Sequence, residues 1–290
     1  MAQRPPPHWI PGVSIDPEPP DPGTAKIDDP EALMAVLQVL RPKPSPRPLL
    51  RIGGTGDGAY LVPDDLDGIR ACLSPGVADR KPFEDELLEH HGIASELCDH
   101  STDPDRLRTP LVPGRQVLRR KWLDVDGGSD SITLADWVAE AAPDPADDLM
   151  LQMDIEGAEY RNLLATPEAV LRRFRIIVVE LHGLDWIVKP QMLLAVMAPL
   201  TRLLDRAHTA VHFHPNNCCG DVRLPGTDIR IPRVAELTFL RKDRFAVGSG
   251  ATLHPPQLPH PLDIPANVPG RPPLVACDFW RGGAAGPDIG

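Results

Sequence analysis

DLMLQMDIEGAEYRNLL, residues 148–164, decides how this chain is read. Its apolar run, Leu149, Met150, Leu151 and Met153, has the character of a strand buried on both faces. The run stops at three carboxylates, Asp154, Glu156 and Glu159, grouped around Gly157. Open α/β sheets bind ligands beyond the carboxyl ends of their strands, so carboxylates just past the last apolar residue face a cleft. Gly157 permits a close turn, and the chain continues as a helix with Leu163 and Leu164 inward. A solvated strand-to-helix turn is the competing reading of this segment taken alone.

On either side the same alternation of strand and helix recurs. Residues 70–73 predict the first strand of a main sheet, the SPG turn at Ser74, Pro75 and Gly76 follows it, and Phe83, Leu87 and Leu88 mark the inner stripe of the next helix. A short strand over residues 94–97 ends at Asp99. Strand, glycine turn, helix, strand and terminal acid together make the nucleoside-binding half of a doubly wound sheet, with the acid placed to accept hydrogen bonds from ribose hydroxyls. SPGVAD is not a complete GxGxxG, and Asp79 stands where a phosphate loop prefers a small or basic group. VLRRKWLDV, residues 117–125, predicts one strand, followed by the DGGSD turn opened by Asp126 and a helix TLADWV capped by Ser131 or Thr133. PEAVLRRF predicts a helix with Pro167 in its first turn, and RIIVVEL, residues 175–181, is too β-branched for anything but a buried strand. That strand also finishes in polar groups, Glu180, His182 and Asp185. A helix over residues 190–206, a strand AVHFH, the turn PNNCCG and a strand from Val234 complete the set. The expected fold is α/β and Rossmann-like, with a mostly parallel sheet, helices on both faces and a closing antiparallel hairpin.

The 290 residues include 36 prolines, crowded into the first fifty and last forty positions, so regular structure is expected between them. The predicted organisation is a proline-rich arm over residues 1–48 with one helix (Leu33, Val36, Leu37 and Leu40 behind Asp28 and Asp29), one domain over residues 49–247, and a second proline-rich arm over residues 248–290. RIGGTGDGAYLVPDDL, residues 51–66, predicts a glycine-rich turn, a short strand and another turn, able to approach a ligand closely or to form a plain flexible hairpin.

A net charge of −11 argues against nucleic acid as a partner, because phosphate contacts need clustered cations. Five cysteines without a CxxC spacing fit reduced thiols in a cytoplasm, and adjacent Cys218 and Cys219 are poorly placed to share one zinc. No run has signal-peptide or membrane-spanning character, so no membrane partner is expected.

MDIEGAEYRNLLATPEAVL followed by IIVVELHG, and preceded by SITLADWV, resembles the signature of FkbM-type methyltransferases. RIGGTGDGAYLVPDDL, SPGVADRKPFEDEL and HPNNCCG are similar to segments of the branch of that family related to animal methyltransferase-like proteins, so the likeness spans residues 51–242. The resemblance implies a class I methyltransferase fold with a seven-stranded sheet, S-adenosylmethionine as cofactor, and methyl transfer more often to oxygen than to nitrogen or carbon. It implies a small-molecule or sugar acceptor without fixing which. Carried onto this chain, it places Ser74, Pro75 and Gly76 under the methionine part of the cofactor and Asp99 on its ribose, with Asp126 and Asp154 also at the cofactor. Pro75 and Ala78 depart from the family's fuller G-x-G-x-G.

Methyl transfer from a sulfonium needs mainly alignment, but an alcohol acceptor must also lose its proton. His182 is one candidate general base. The alternative is a divalent cation such as magnesium held by Asp154 and Glu180, which would acidify a bound hydroxyl. His214, Asn216 and Asn217, at another strand end, are expected to border the acceptor. Two other functions stay open at this stage. One is a catalytically silent Rossmann-like module that binds proteins through its proline-rich arms, and the other is a nicotinamide-dependent oxidoreductase.

Overall fold

The structure, a computed structural model, describes residues 10–14, 27–245 and 252–282. Of the N-terminal proline-rich arm, residues 1–9 and 15–26 lie outside the described residues. In chain order the elements begin with α1 (Pro30–Leu40), β1 (Leu49–Ile52), β2 (Tyr60–Pro63), β3 (Ile69–Pro75), α2 (Pro82–His91), β4 (Ala94–Cys98), β5 (Gln116–Arg119), β6 (Trp122–Leu123), β7 (Ser131–Ile132) and α3 (Leu134–Ala141). There follow β8 (Asp148–Met153), α4 (Glu159–Ala165), α5 (Glu168–Leu171), β9 (Phe174–His182), α6 (Pro190–Met192), α7 (Ala198–Asp205), β10 (His208–Pro215), β11 (Asp221–Arg223), β12 (Arg230–Pro232) and β13 (Val234–Arg241).

Seven strands form one mixed sheet in the order β10-β13-β9-β8-β3-β4-β5. The ladders from β9 to β5 are parallel, whereas β13 runs antiparallel to both β9 and β10. Both sides of the sheet are covered, as the unbroken apolar runs demand. Side chains alternate between the two faces along each strand. Leu149, Leu151, Met153, Ile177 and Val179 join one core with α1, α3, α4 and α7, while Met150, Ile176 and Val178 join another with α2 and the β1–β2 hairpin.

Several local readings are refined by the structure. The predicted single strand over residues 117–125 breaks into β5 and β6, the latter pairing with β7 outside the main sheet. Arg119, Arg120 and Lys121 are three consecutive cations that cannot alternate into a covered face, and the Lys121 N–H bonds back to the Arg119 carbonyl at 2.8 Å, redirecting the chain. The helix over residues 190–206 is interrupted by a π turn at Leu193–Met197. Pro199 explains it: proline supplies no N–H to the ladder and crowds the carbonyl four residues earlier, so the turn before it widens. Pro167 caps α5 rather than entering it, Asp29 caps α1 through the Ala32 N–H, and Thr133 rather than Ser131 caps α3. The glycine-rich stretch is the tip of an antiparallel hairpin, stitched by Arg51 donating to the carbonyls of Gly54, Gly56 and Ala59.

The C-terminal segment, residues 252–282, has the irregular backbone expected of proline-rich sequence, yet it is packed into the domain. Trp280 is fully buried, lies parallel to Phe213 with centroids 4.1 Å apart, and donates its indole N–H to the Arg230 carbonyl at 2.9 Å. Among the described residues, no helix is long and apolar enough to cross a membrane.

Candidate active site

Gly76, Asp99 and Asp154 leave the carboxyl ends of three adjacent strands, β3, β4 and β8. The β3 and β8 exits are in contact: the Asp154 N–H bonds the Pro75 carbonyl at 3.2 Å, and a Cβ on Gly76 would fall 1.6 Å from the Asp154 carbonyl oxygen. Only glycine fits there, and its φ of +91° is one that glycine adopts freely. Two residues on, Ala78 occupies a φ of +48°. Ala78 therefore takes a conformation that glycine ordinarily supplies. Asp99 holds it there, one carboxylate oxygen accepting from the Ala78 N–H at 3.0 Å and the other from the N–H and hydroxyl of Ser101. The structure thus places Asp99 beneath the turn as a brace.

This turn walls a cleft of about 240 Å³ whose sides include Gly58, Tyr60, Arg80, Phe83 and Gln152. Asp57, Asp79, Glu84 and Asp154 also line it, four carboxyl groups against one arginine. Asp79 is paired with Arg108 at 3.0 Å. Burial raises the Glu84 pKa despite its hydrogen bond with Ser74. Ser74 itself is buried within the sheet, so of the predicted glycine turn it is Gly76 that reaches the cleft. Asp126 is exposed and is not among the residues lining this cleft.

At the end of β8 the backbone takes two successive left-handed residues, Glu156 (φ +58°) and Gly157 (φ +97°). The N–H groups of Ile155 and Gly157 consequently converge on one oxygen of Glu159, at 3.0 and 3.1 Å. The same oxygen receives Nδ1 of His182 at 3.1 Å, and Glu159 has no exposed surface. Since Nδ1 faces a carboxylate, Nε2 is the atom of His182 turned toward Asp154, at 3.9 Å, and Glu156, at 3.6 Å. Burial disfavours the imidazolium, but the Glu159 bond and the charges of Asp154 and Glu156 outweigh it and lift His182 to about 9. Burial raises Asp154 to about 6, with Glu159 and Glu156 adding to it and His182 opposing. The Tyr60 hydroxyl donates to the other Asp154 oxygen at 3.3 Å.

Beyond His182 lies a second cleft of about 290 Å³, walled by Ile10, Glu156, Gly157, Tyr160, Gly183, Trp186 and Met192. The hydroxyl of Tyr160 is buried there without a hydrogen-bond partner. Asp154 borders the first cleft, and Glu156 and His182 border the second.

Glu180 sits deeper. It accepts from Asn216 at 2.8 Å, and its pKa is raised by burial and by the charges of Asp154 and Glu236. The carboxylates that converge with His182 are therefore Asp154 and Glu156, not the expected pair Asp154 and Glu180. His214, Asn216 and Asn217 are buried and border neither cleft. His214 meets Asn267 at 3.0 Å and Asp263 at 3.5 Å, and Asn217 donates to the carbonyls of Val268, Arg271 and Pro272. Expected to border an acceptor, His214 and Asn217 instead seat the C-terminal segment on β10, while Asn216 bonds Glu180 and the Cys218 N–H.

That seat titrates. Burial opposes the His214 cation, but Asp263 and Glu236 raise it to about 9; burial likewise opposes the Asp263 carboxylate, but His212, at 3.0 Å, and His214 hold it well below the usual carboxylate range. A histidine whose folded pKa lies above its unfolded value contributes stability that is complete below about 6.5 and is lost as pH rises through 9. Stability should therefore fall by about 2–3 kcal/mol between pH 6.5 and 9. Urea denaturation across that range checks this, with Asp263→Asn expected to remove the His214 share of the dependence and to leave the share of His182, which titrates over the same range. An unchanged midpoint from pH 6.5 to 9 in the parent chain would remove the ion pair from the account.

Tyr60, Glu84 and Tyr160 were not marked out as site residues by sequence. Glu159 was legible as one of the three carboxylates at the strand exit, though not as the support of His182, whereas Tyr60 reads only as a strand former. No protein-family model, curated protein or solved structure matches this chain.

Proposed function

We propose that this protein is an S-adenosylmethionine-dependent methyltransferase acting on a hydroxyl group of a small molecule or sugar. The observation that carries the reading is the charge of the first cleft. With Asp79 already paired with Arg108, Asp57, Glu84 and Asp154 remain to suit a ligand bearing a sulfonium and an ammonium, and they disfavour the pyrophosphate of a dinucleotide. The aromatic rings of Tyr60 and Phe83 add apolar surface for a purine. The sheet order, with an antiparallel strand inserted beside β9, is the arrangement that the family resemblance implies.

The bound cofactor would supply a methyl group already activated for in-line displacement. The chain's own task is then alignment. Asp154 lies on the cofactor side of the divide and His182 on the other, so a hydroxyl in the second cleft would be held beside the shared wall. Carboxylates at the divide favour the positive charge that grows on an attacking oxygen.

Calorimetry with S-adenosylmethionine tests the cofactor. Saturable binding is expected, with none for NAD; the reverse result would move the chain to the oxidoreductases. His182→Ala should lower turnover by about a hundredfold or more with cofactor affinity nearly unchanged, because His182 borders only the second cleft. Full turnover in that variant would take His182 out of the mechanism. The acceptor is identified by the mass of the molecule that gains a methyl group from a cell extract.

A further inference from the structure

We infer that Asp154, Glu156 and His182 form a binding site for one divalent transition-series cation of the manganese, cobalt and zinc type. One ligand atom from each side chain lies within 4.8 Å of the other two. The separations of Nε2 from the two carboxylates, 3.6 and 3.9 Å, are too long for good hydrogen bonds. Ligand bonds of about 2.1 Å around a single ion give edges of about 3.0–3.4 Å, so a small inward movement of the side chains would bring all three ligand atoms onto one ion. His182 therefore faces two carboxylates across a gap of ionic size.

A second observation is independent of that cluster. Glu159 is fully buried, orients the imidazole through Nδ1, and keeps its remaining carboxylate oxygen without a partner. A carboxylate behind a histidine whose far nitrogen points at other ligands is the usual outer support of a metal-binding imidazole. Tyr60 does the same for Asp154 by holding the oxygen turned away from His182. Among the described residues, no lysine or arginine lines the second cleft to neutralise Glu156.

One imidazole and two carboxylates favour ions that accept both nitrogen and oxygen, above magnesium or calcium, which prefer oxygen alone. Three protein ligands leave coordination positions open toward the second cleft, where a hydroxyl-bearing molecule would complete the shell. The site stands on these residues alone and does not require the methyl-donor reading.

Chelator-treated full-length protein, with no cofactor or acceptor present, is titrated with manganese chloride while free manganese is followed by electron paramagnetic resonance. One saturable ion per chain is expected, with weaker binding of magnesium measured by competition. Glu156→Gln is the decisive variant, since that side chain is 76% exposed and the fold does not depend on it. Its affinity for manganese should fall about tenfold or more, and Glu159→Gln should lose about 10- to 100-fold through misorientation of His182. Absence of saturable manganese, cobalt and zinc binding, or parental affinity in Glu156→Gln, overturns the proposal. Calorimetry with S-adenosylmethionine on the same chelated sample reports separately on the methyl-donor reading.

Discussion

Gly76→Ala is expected to cost about 4 kcal/mol or more, a size that marks a specific clash rather than ordinary surface loss. The new methyl group would lie 1.6 Å from the Asp154 carbonyl oxygen and 2.7 Å from its carbon, both backbone atoms that retreat only if β3 and β8 separate. Alanine at φ +91° adds conformational strain of about 1–3 kcal/mol. The first casualty is the hydrogen bond from Asp154 to the Pro75 carbonyl, and with it the juxtaposition on which the first cleft depends. Urea denaturation measures the loss, with Ala78→Gly as the contrast. Ala78 already sits in the left-handed region, so glycine there should change stability by less than about 1 kcal/mol. A Gly76→Ala chain within about 1 kcal/mol of the parent would mean that the two strand exits are not in contact.

Trp280→Ala is expected to cost about 3–5 kcal/mol, the usual range for emptying a fully buried large aromatic site. Two specific contacts disappear along with the apolar burial: the parallel stacking on Phe213 of β10 and the indole bond to Arg230 of β12. The Arg230 carbonyl also accepts from the Cys277 thiol at 3.8 Å, so it keeps one weak partner. Trp280→Phe should recover roughly half of the loss by retaining the stack without the N–H. Thermal denaturation of the three chains decides the matter. Equal melting temperatures for parent and Trp280→Ala would show that the C-terminal segment lies on the domain without holding it together.

The fold was legible because its strands are long, apolar and punctuated. Residues 148–153 and 175–181 cannot be solvated, and each stops at a polar cluster, so their places in a covered sheet follow from composition. Asp154 and His182 could be found for the same reason. The roles of Asp99, His214, Asn216 and Asn217 could not, because a polar side chain at a strand end looks the same whether it meets a ligand or a distant piece of its own chain. Asp99 bonds Ala78, 21 residues away, and His214 bonds Asn267, 53 residues away. The C-terminal segment was misleading for a related reason. Its prolines exclude helix and sheet, but they do not prevent Leu258, Ala276, Phe279 and Trp280 from entering the core. Glu156 needed the backbone as well as the sequence, since only its left-handed conformation turns its carboxylate toward His182.

One feature of the sheet bears on how the protein is made. β13 lies between β9 and β10, although both of those leave the ribosome before it does. A nascent polypeptide that has emerged only as far as residue 233 must hold open a slot flanked by two unpaired strand edges, each a template for pairing with another molecule. Insertion of residues 234–241 closes both at once, so the interval before their emergence is when this protein most needs a chaperone.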